Sequence, residues 1–129
     1  MRTNICSGAT WEPIVGYSRA VRVGSIIAVS GSASVGPDGE IVGVGDTYRQ
    51  ACRCIEVIAE ALAEAGADLK DVVRTRMFVT DIDQWQEIAK AHQEAFGKSP
   101  PATSMVEVTR LIHPDMLVEI EADAILADD

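Results

Sequence analysis

The sequence predicts an α+β fold, a two-layer sandwich in which two helices cover one face of a mixed sheet of about five strands. Two segments repeat apolar residues every three or four positions, which is typical of amphipathic helices. Five shorter segments alternate in polarity or are continuously apolar, as strands are. These segments follow one another in the order β-β-α-β-α-β-β, which favours one layer of helices on one sheet.

The chain has 129 residues, and we expect one domain over 1–129, because each half alone would be near the lower limit for an independent core. Hydrophobic residues make up 47 % and charged residues 24 %, a globular balance that argues against disorder. No segment approaches the roughly 18–20 apolar residues of a membrane helix. No export signal is visible, and the odd number of cysteines favours reduced thiols. We therefore expect a cytoplasmic protein.

The first two strands are predicted on either side of a tight turn at Gly24. Residues 18–23 alternate in polarity, and residues 25–30 are almost all apolar, as in a strand that is covered on both faces. The first 16 residues are expected to be irregular. Residues 31–45 are expected to form a loop, because they are rich in glycine and contain turn residues.

Both helices are predicted by an apolar stripe and by a polar residue that caps the first turn. The first helix is expected to begin near Asp46 or Thr47, with a glutamine at the capping-box spacing from the threonine. Gly66 suits its C-terminal end. The second helix is expected to start at Asp83, again with a glutamine three residues later, and to end at Gly97.

Three further strands are predicted over residues 72–80, 103–109 and 116–126. In the first of them Val73 and Thr75 are expected on one face, and Val72 and Arg74 on the other. In the last of them Glu119 and Glu121 share the polar face. This pair is either a solvated strand face or, if a cleft covers it, a site for general acid–base chemistry. The face of the sheet without helices retains apolar positions, and self-association is the simplest way to cover them.

The net charge of −9 argues against binding to nucleic acids or anionic membranes, which usually requires a basic surface. The C-terminal part is the most acidic, with no lysine or arginine after Arg110. Its acidic residues are Asp115, Glu119, Glu121, Asp123, Asp128 and Asp129. The sequence lacks a phosphate-binding loop, a dinucleotide fingerprint and histidines at metal-ligand spacing, so we expect neither a cofactor nor a metal.

Five collinear segments resemble the signature of the Rid (YjgF) family of reactive-intermediate deaminases, whose members are often named L-PSP endoribonucleases. The segments are GYSRAV at 16–21, VSG at 29–31, RMFVTD at 76–81, PATSMVEV at 101–108 and VEIEA at 118–122. The resemblance implies a chorismate-mutase-like α+β fold and a homotrimer with clefts between subunits. It also implies hydrolysis of small-molecule imines and enamines to a keto acid and ammonia, with no cofactor.

The same resemblance implies roles for particular residues. Tyr17 would line the pocket, the backbone of Gly31 would contact substrate, and Glu119 would hold the attacking water. Residues 111–115 look one residue longer than the family spacing, and with that allowance Glu119 matches the family glutamate better than Glu121 does.

Thr103 is the main departure from the family pattern. In the deaminase branch the motif is Pro-Ala-Arg-Ser, and its arginine binds the substrate carboxylate through a bidentate ion pair, an interaction of about 1.5–3 kcal/mol. Threonine has no charge with which to replace it. Either Arg76 or Arg19 supplies the cation from another direction, or the substrate lacks a carboxylate. Met105, where the family often has cysteine, favours the second alternative because it makes the pocket more apolar.

These observations favour hydrolysis of an imine or enamine other than a standard 2-imino acid, with Glu119 as the catalytic residue. The proposed substrate-binding residues are Tyr17, Gly31, Thr103, Met105 and Arg76. The alternative is a homotrimer that binds a small molecule without turning it over. Endoribonuclease activity is the weakest candidate, because the chain is strongly acidic.

Overall fold

The structure, a computed structural model, describes residues 1–127 and contains one six-stranded sheet with two long helices on one face. The strands are β1 (Arg2–Ile5), β2 (Ala20–Val23), β3 (Ile26–Ala33), β4 (Val72–Val79), β5 (Ala102–Glu107) and β6 (Val118–Ile125). The helices are α1 (Trp11–Val15), α2 (Thr47–Glu64) and α3 (Trp85–Phe96), with short 3₁₀ turns at Leu69–Asp71 and Ile82–Gln84. Asp128 and Asp129, the end of the acidic segment, lie outside the described residues.

The strands are arranged in the order β1-β2-β3-β6-β4-β5, and the sheet is mixed as predicted. β4 and β5 run parallel, whereas the other neighbouring pairs are antiparallel. β6 lies at the centre between β3 and β4. Its alternating side chains Val118, Ile120, Ala122 and Ala124 are fully buried beneath the helices, which confirms the predicted faces of this strand.

The N-terminal segment differs from the prediction, because it is not irregular throughout. β1 pairs with β2 in an antiparallel ladder and adds a sixth strand to the five expected. Only Ile5 of β1 is buried, so the strand has no apolar alternation that the sequence could reveal. The short helix α1 was also not predicted, and it ends at Gly16, which adopts a left-handed conformation with φ 87°.

Both long helices form where their apolar stripes predict them, but their first turns differ from the predicted capping. At α2 the side chain of Asp46 accepts a hydrogen bond from Arg49 N at 3.0 Å, and this replaces the expected threonine cap. Asp83 does not begin the second helix. The side chain of Asp81 caps a 3₁₀ turn at that point, and α3 starts only at Trp85.

Strands β4 and β5 also differ locally from what the sequence predicts. A register shift in the β4–β6 ladder between Val72 and Arg74 buries Val72 and exposes Val73, the reverse of the predicted faces for these two valines. Beyond the shift, the predicted alternation of β4 holds. β5 begins at Ala102 and ends at Glu107, two residues before the predicted end.

Gln50 is a fully buried polar side chain that joins α2 to two loops. Its Nε2 donates hydrogen bonds to Gly43 O at 3.1 Å and to Asp115 O at 2.8 Å. Its Oε1 accepts a hydrogen bond from Leu117 N at 2.8 Å. The amide therefore satisfies backbone groups that the loops before α2 and before β6 bring into the interior.

The face of the sheet opposite the helices, called here the open face, exposes apolar side chains within this single chain. Their exposed fractions are 50 % for Val23, 57 % for Ile26, 44 % for Val73, 46 % for Val106 and 46 % for Ile125. The open face matches the sequence-based expectation of a sheet surface that needs cover.

We expect Gln50→Ala to lower the free energy of unfolding by about 3 kcal/mol, because it leaves buried backbone groups without partners. Urea denaturation followed by circular dichroism measures this change. Gln86→Ala is the matched control, since Gln86 is an exposed helical glutamine. Equal losses in the two variants would contradict the role assigned to Gln50.

Candidate functional site

Glu119 and Gly31 form the closest contact on the open face. Glu119 lies on β6 opposite Phe78 of β4, and its side chain extends over Gly31 of β3. A Cβ atom added to Gly31 would lie 2.9 Å from both Cδ and Oε2 of Glu119. The β3–β6 register also shifts between Val29 and Ser32. Glycine therefore leaves the space that the carboxylate occupies.

Arg19 connects Gly31 to Tyr17. Its Nη2 donates a hydrogen bond to Gly31 O at 2.5 Å, and its guanidinium carbon lies 5.7 Å from the centroid of the Tyr17 ring, within the range of a cation–π contact. Tyr17, Arg19, Gly31 and Glu119 are thus linked in one chain of contacts, called here the Glu119 cluster. The structure brings together the three residues Tyr17, Gly31 and Glu119 that the resemblance identified.

Burial raises the pKa of Glu119 above the ordinary value for a glutamate. The nearby Arg19 guanidinium opposes this increase in the pKa, and the neighbouring Glu121 carboxylate adds to it. A carboxylate with a raised pKa can accept a proton from water and later return it. The local electrostatics therefore suit Glu119 to acid–base chemistry.

Thr103 and Met105 lie on the other face of the sheet, toward the helices, because they are in register with the core-facing Thr75 and Met77. They line a cavity of about 320 Å³ that also contacts α3. Within one chain, these two predicted substrate-binding residues are therefore separated from Glu119 by the sheet.

The hydroxyl of Thr103 is already engaged within the chain. Thr75 Oγ1 donates to Thr103 Oγ1 at 2.6 Å, and Thr103 Oγ1 in turn donates to Thr75 O at 3.2 Å. His92 Nε2 lies 2.8 Å from Thr75 Oγ1, and it is the donor because the single hydroxyl hydrogen of Thr75 goes to Thr103. Burial lowers the pKa of His92, which favours the neutral ring. This network was not predicted, since it depends on the parallel pairing of β4 and β5.

Arg76 is placed differently from Arg19. Its Nη1 lies 3.3 Å from Glu121 Oε1 and 3.1 Å from Asp123 Oδ2, so two carboxylates of β6 share its charge. Of the two cations considered from the sequence, Arg19 is the one that contacts the Glu119 cluster. The sequence could not show that Arg19 belongs to this cluster, because its hydrogen-bond partner Gly31 lies on a different segment, strand β3.

Residues 1–127 contain no group of three or more histidine, cysteine, aspartate or glutamate side chains arranged to hold a metal ion. In the same part of the chain, each helix is too short or too polar to cross a bilayer.

We expect Glu119→Gln to stabilise the fold at pH 7–8 and to lose this advantage toward about pH 4, near the ordinary pKa of glutamate. With a raised pKa, the folded state holds the Glu119 proton more tightly than the unfolded state. Stability therefore falls as pH rises from the unfolded pKa through the folded one. Thermal unfolding across this pH range tests the effect.

Glu121→Gln is the matched control for that experiment. Glu121 lies on the same face of β6 but is paired with Arg76, so its substitution should give no comparable gain at neutral pH. A Glu119→Gln variant that is less stable than wild type at pH 8 would contradict the raised pKa.

Comparisons with known proteins agree with this architecture. A family model described as Endoribonuclease L-PSP matches residues 8–126. The crystal structure of Rv2704 from Mycobacterium tuberculosis, described as a member of the YjgF/YER057c/UK114 family, superposes with a TM-score of 0.89 at 49 % identity. That match covers 98 % of this chain and all of the other.

Curated relatives give the same result. A RutC family protein of Pyrococcus abyssi is 43 % identical over 114 residues, which is 88 % of each chain. The 3-aminoacrylate deaminase RutC of Acinetobacter baylyi is 33 % identical over 115 residues, covering 89 % of this chain and 90 % of that protein. On the family match, these identities and the shared fold, the chain belongs to the Rid family, also called the YjgF/YER057c/UK114 family.

Proposed function

We propose that this protein hydrolyses a reactive imine or enamine to a carbonyl compound and ammonia, without a cofactor. The observation that carries the proposal is the half-buried Glu119 carboxylate, held against Gly31 next to Arg19 and Tyr17. A relative that matches over nearly the whole chain bears the name 3-aminoacrylate deaminase, which supports this class of reaction.

The proposed reaction requires a positioned water and a group that moves protons. An enamine first takes a proton at carbon and loses one from nitrogen to become the imine. Glu119 accepts a proton from water as the water oxygen bonds to the imine carbon, the C=N electron pair moves to nitrogen, and Glu119 returns its proton to that nitrogen. The tetrahedral intermediate then expels ammonia as its oxygen loses a proton and forms C=O. The raised pKa of Glu119 suits both accepting and returning a proton.

The second part of the proposal is that the site is completed in a homotrimer, at clefts between subunits. Thr103 and Met105 lie on the opposite face of the sheet from Glu119, so they can join its cluster only from another copy of the chain. They lie on β5, an edge strand that is free to approach a neighbour. The apolar residues of the open face supply surface for such an interface.

The substrate is proposed to lie outside the small 2-imino acids that an arginine at position 103 would bind. The Thr103 hydroxyl is used by Thr75, and Met105 presents an apolar side chain beside it. A substrate substituent directed toward this cavity is therefore proposed to be uncharged, because no lysine or arginine of residues 1–127 lines the cavity.

The second candidate is a trimer that binds a small molecule without catalysis. The absence of a positive charge at Thr103 favours it, and Glu119 in its half-buried position argues for the enzyme. Cleavage of RNA, which the family description suggests, is poorly supported by a chain whose net charge is −9.

The test of catalysis uses an amino-acid oxidase to generate a panel of imines, with release of the carbonyl product followed over time. We expect wild type to accelerate hydrolysis of imines with apolar substituents and Glu119→Gln to lose about 100-fold or more, in line with the loss of a general base. Glu121→Gln is the control and should retain activity. Full activity in Glu119→Gln would exclude the proposed mechanism.

In the same assay, Thr103→Arg tests whether position 103 sets the substrate while the proposed catalytic residues remain functional. If Thr103→Arg gains activity on small imino acids that wild type ignores, the machinery is intact and position 103 sets the substrate. Calorimetric binding without turnover by either protein would instead support the non-catalytic candidate.

The trimer predicts a mass of about 41 kDa in light scattering, three times the 13.8 kDa of the chain. Val106→Asp should weaken the assembly, since Val106 is an exposed valine of β5 on the open face. Val44→Asp is the control, because Val44 is exposed in the loop before α2. A wild-type mass near that of one chain would rule out a site shared between subunits.

A further inference from the structure

Arg19 carries hydrogen-bond donors that the chain leaves unused. A guanidinium has five N–H groups, and the hydrogen bond that the structure gives this one runs from Nη2 to Gly31 O. Its Nε is buried and has no partner, the one such side-chain atom among residues 1–127. Buried donors are normally paired, so an unpaired one indicates a missing ligand or contact.

The positive charge of Arg19 is also unpaired. Within the described chain, no carboxylate oxygen lies within 4.0 Å of its nitrogens. Arg76 and Arg53 each contact two carboxylates. Arg22 donates instead to the carbonyls of Gly24 and Ala65, outside the Glu119 cluster. Arg19 is thus a partly buried cation, in the candidate site, whose charge no acidic side chain neutralises.

We propose that Arg19 is the anion-binding group of this site and receives a carboxylate of the substrate on the Tyr17 side. The inference that this carboxylate belongs to an imine or enamine rests on the proposed function. The binding of a carboxylate by Arg19 does not, and it can be tested without turnover.

The geometry explains how an acid is recognised without an arginine at position 103. Arg19 and Glu119 contact the same residue, since Arg19 binds the Gly31 carbonyl and Glu119 covers its Cα. A carboxylate on Arg19 would therefore lie beside the water that Glu119 is proposed to hold. The Tyr17 ring centroid lies 5.7 Å from the guanidinium carbon, and Arg19 is partly buried, which strengthens binding of an anion. The substrate would place its acidic group at Arg19 and an uncharged substituent toward Thr103 and Met105.

The groups around this position are compatible with an added anion. Glu119 lies near Arg19 without forming an ion pair with it, and Glu121 on the same strand is paired with Arg76. A bound carboxylate would pair with Arg19 and would raise the pKa of Glu119 further. Its binding should therefore weaken with increasing salt and with rising pH as Glu119 ionises.

The test measures by calorimetry how tightly the purified full chain binds two small molecules of the same shape, 3-methylbutanoate and 3-methylbutanamide. We expect wild type to bind the acid at least about 10-fold more tightly than the amide, since a charge-assisted ion pair is worth roughly that or more. Arg19→Gln should weaken binding of the acid by about 10- to 100-fold and leave binding of the amide unchanged. Arg19→Lys should retain part of the preference, because lysine keeps the charge but not the planar fork.

Arg22→Gln is the matched control, since it removes an arginine of β2 that is outside the cluster, and it should behave as wild type. Equal affinities of acid and amide for wild type, or no binding of either at millimolar concentration, would overturn the proposal. An acid preference that persists in Arg19→Gln would overturn it as well. If Arg19→Gln does not fold, the proposal is still tested by comparing the binding of the acid and the amide to wild type and to Arg19→Lys. Acid-selective binding without any deamination would reject the proposed function and keep the anion site.

Discussion

The position of β6 between β3 and β4 determines both the hydrophobic core and the candidate site. Successive side chains of a strand point to opposite faces, so burying Val118, Ile120 and Ala122 under the helices turns Glu119 toward the open face. A slip of one residue would expose the core residues and bury the carboxylate. Each buried valine or isoleucine contributes about 1.5–3 kcal/mol, and apolar burial thereby fixes the position of the Glu119 carboxylate on the open face.

Gly31 lies against the side chains of both Arg19 and Glu119. Its carbonyl accepts the hydrogen bond of Arg19, and its missing side chain makes room for Glu119. The two opposite charges are therefore close without forming an ion pair. Glu119 keeps the raised pKa that burial produces, and Arg19 keeps a charge that a ligand can use. A direct ion pair would remove both properties, because it would lower the pKa of the glutamate and occupy the guanidinium.

The sheet divides the family's site residues between its two faces. Tyr17, Gly31 and Glu119 belong to the open face, whereas Thr103 lies on the helix-bearing face in a network with Thr75 and His92. A single chain places the Glu119 cluster and the cavity lined by Thr103 and Met105 on opposite faces of the sheet. The proposed self-association would bring the two together and would also cover the apolar open face.

The sequence by itself determined the features that depend on local periodicity. The stripes of α2 and α3, the alternation of β6 and the orientation of Glu119 away from the helices all follow from residues within one segment. Most features that it did not reveal depend on contacts between distant segments. β1 is a strand because it pairs with β2, and Val72 and Val73 exchange faces because β4 pairs with β6 in a shifted register.

The same distinction applies to the site. The resemblance to the Rid family pointed to Tyr17, Gly31 and Glu119, because each lies in a short recognisable segment. It could not choose between Arg19 and Arg76, whose partners lie on other strands, and it could not show that Thr75 occupies the hydroxyl of Thr103. Only the tertiary structure decided which cation is left unpaired, because the pairing of a charge depends on which strands the fold places side by side.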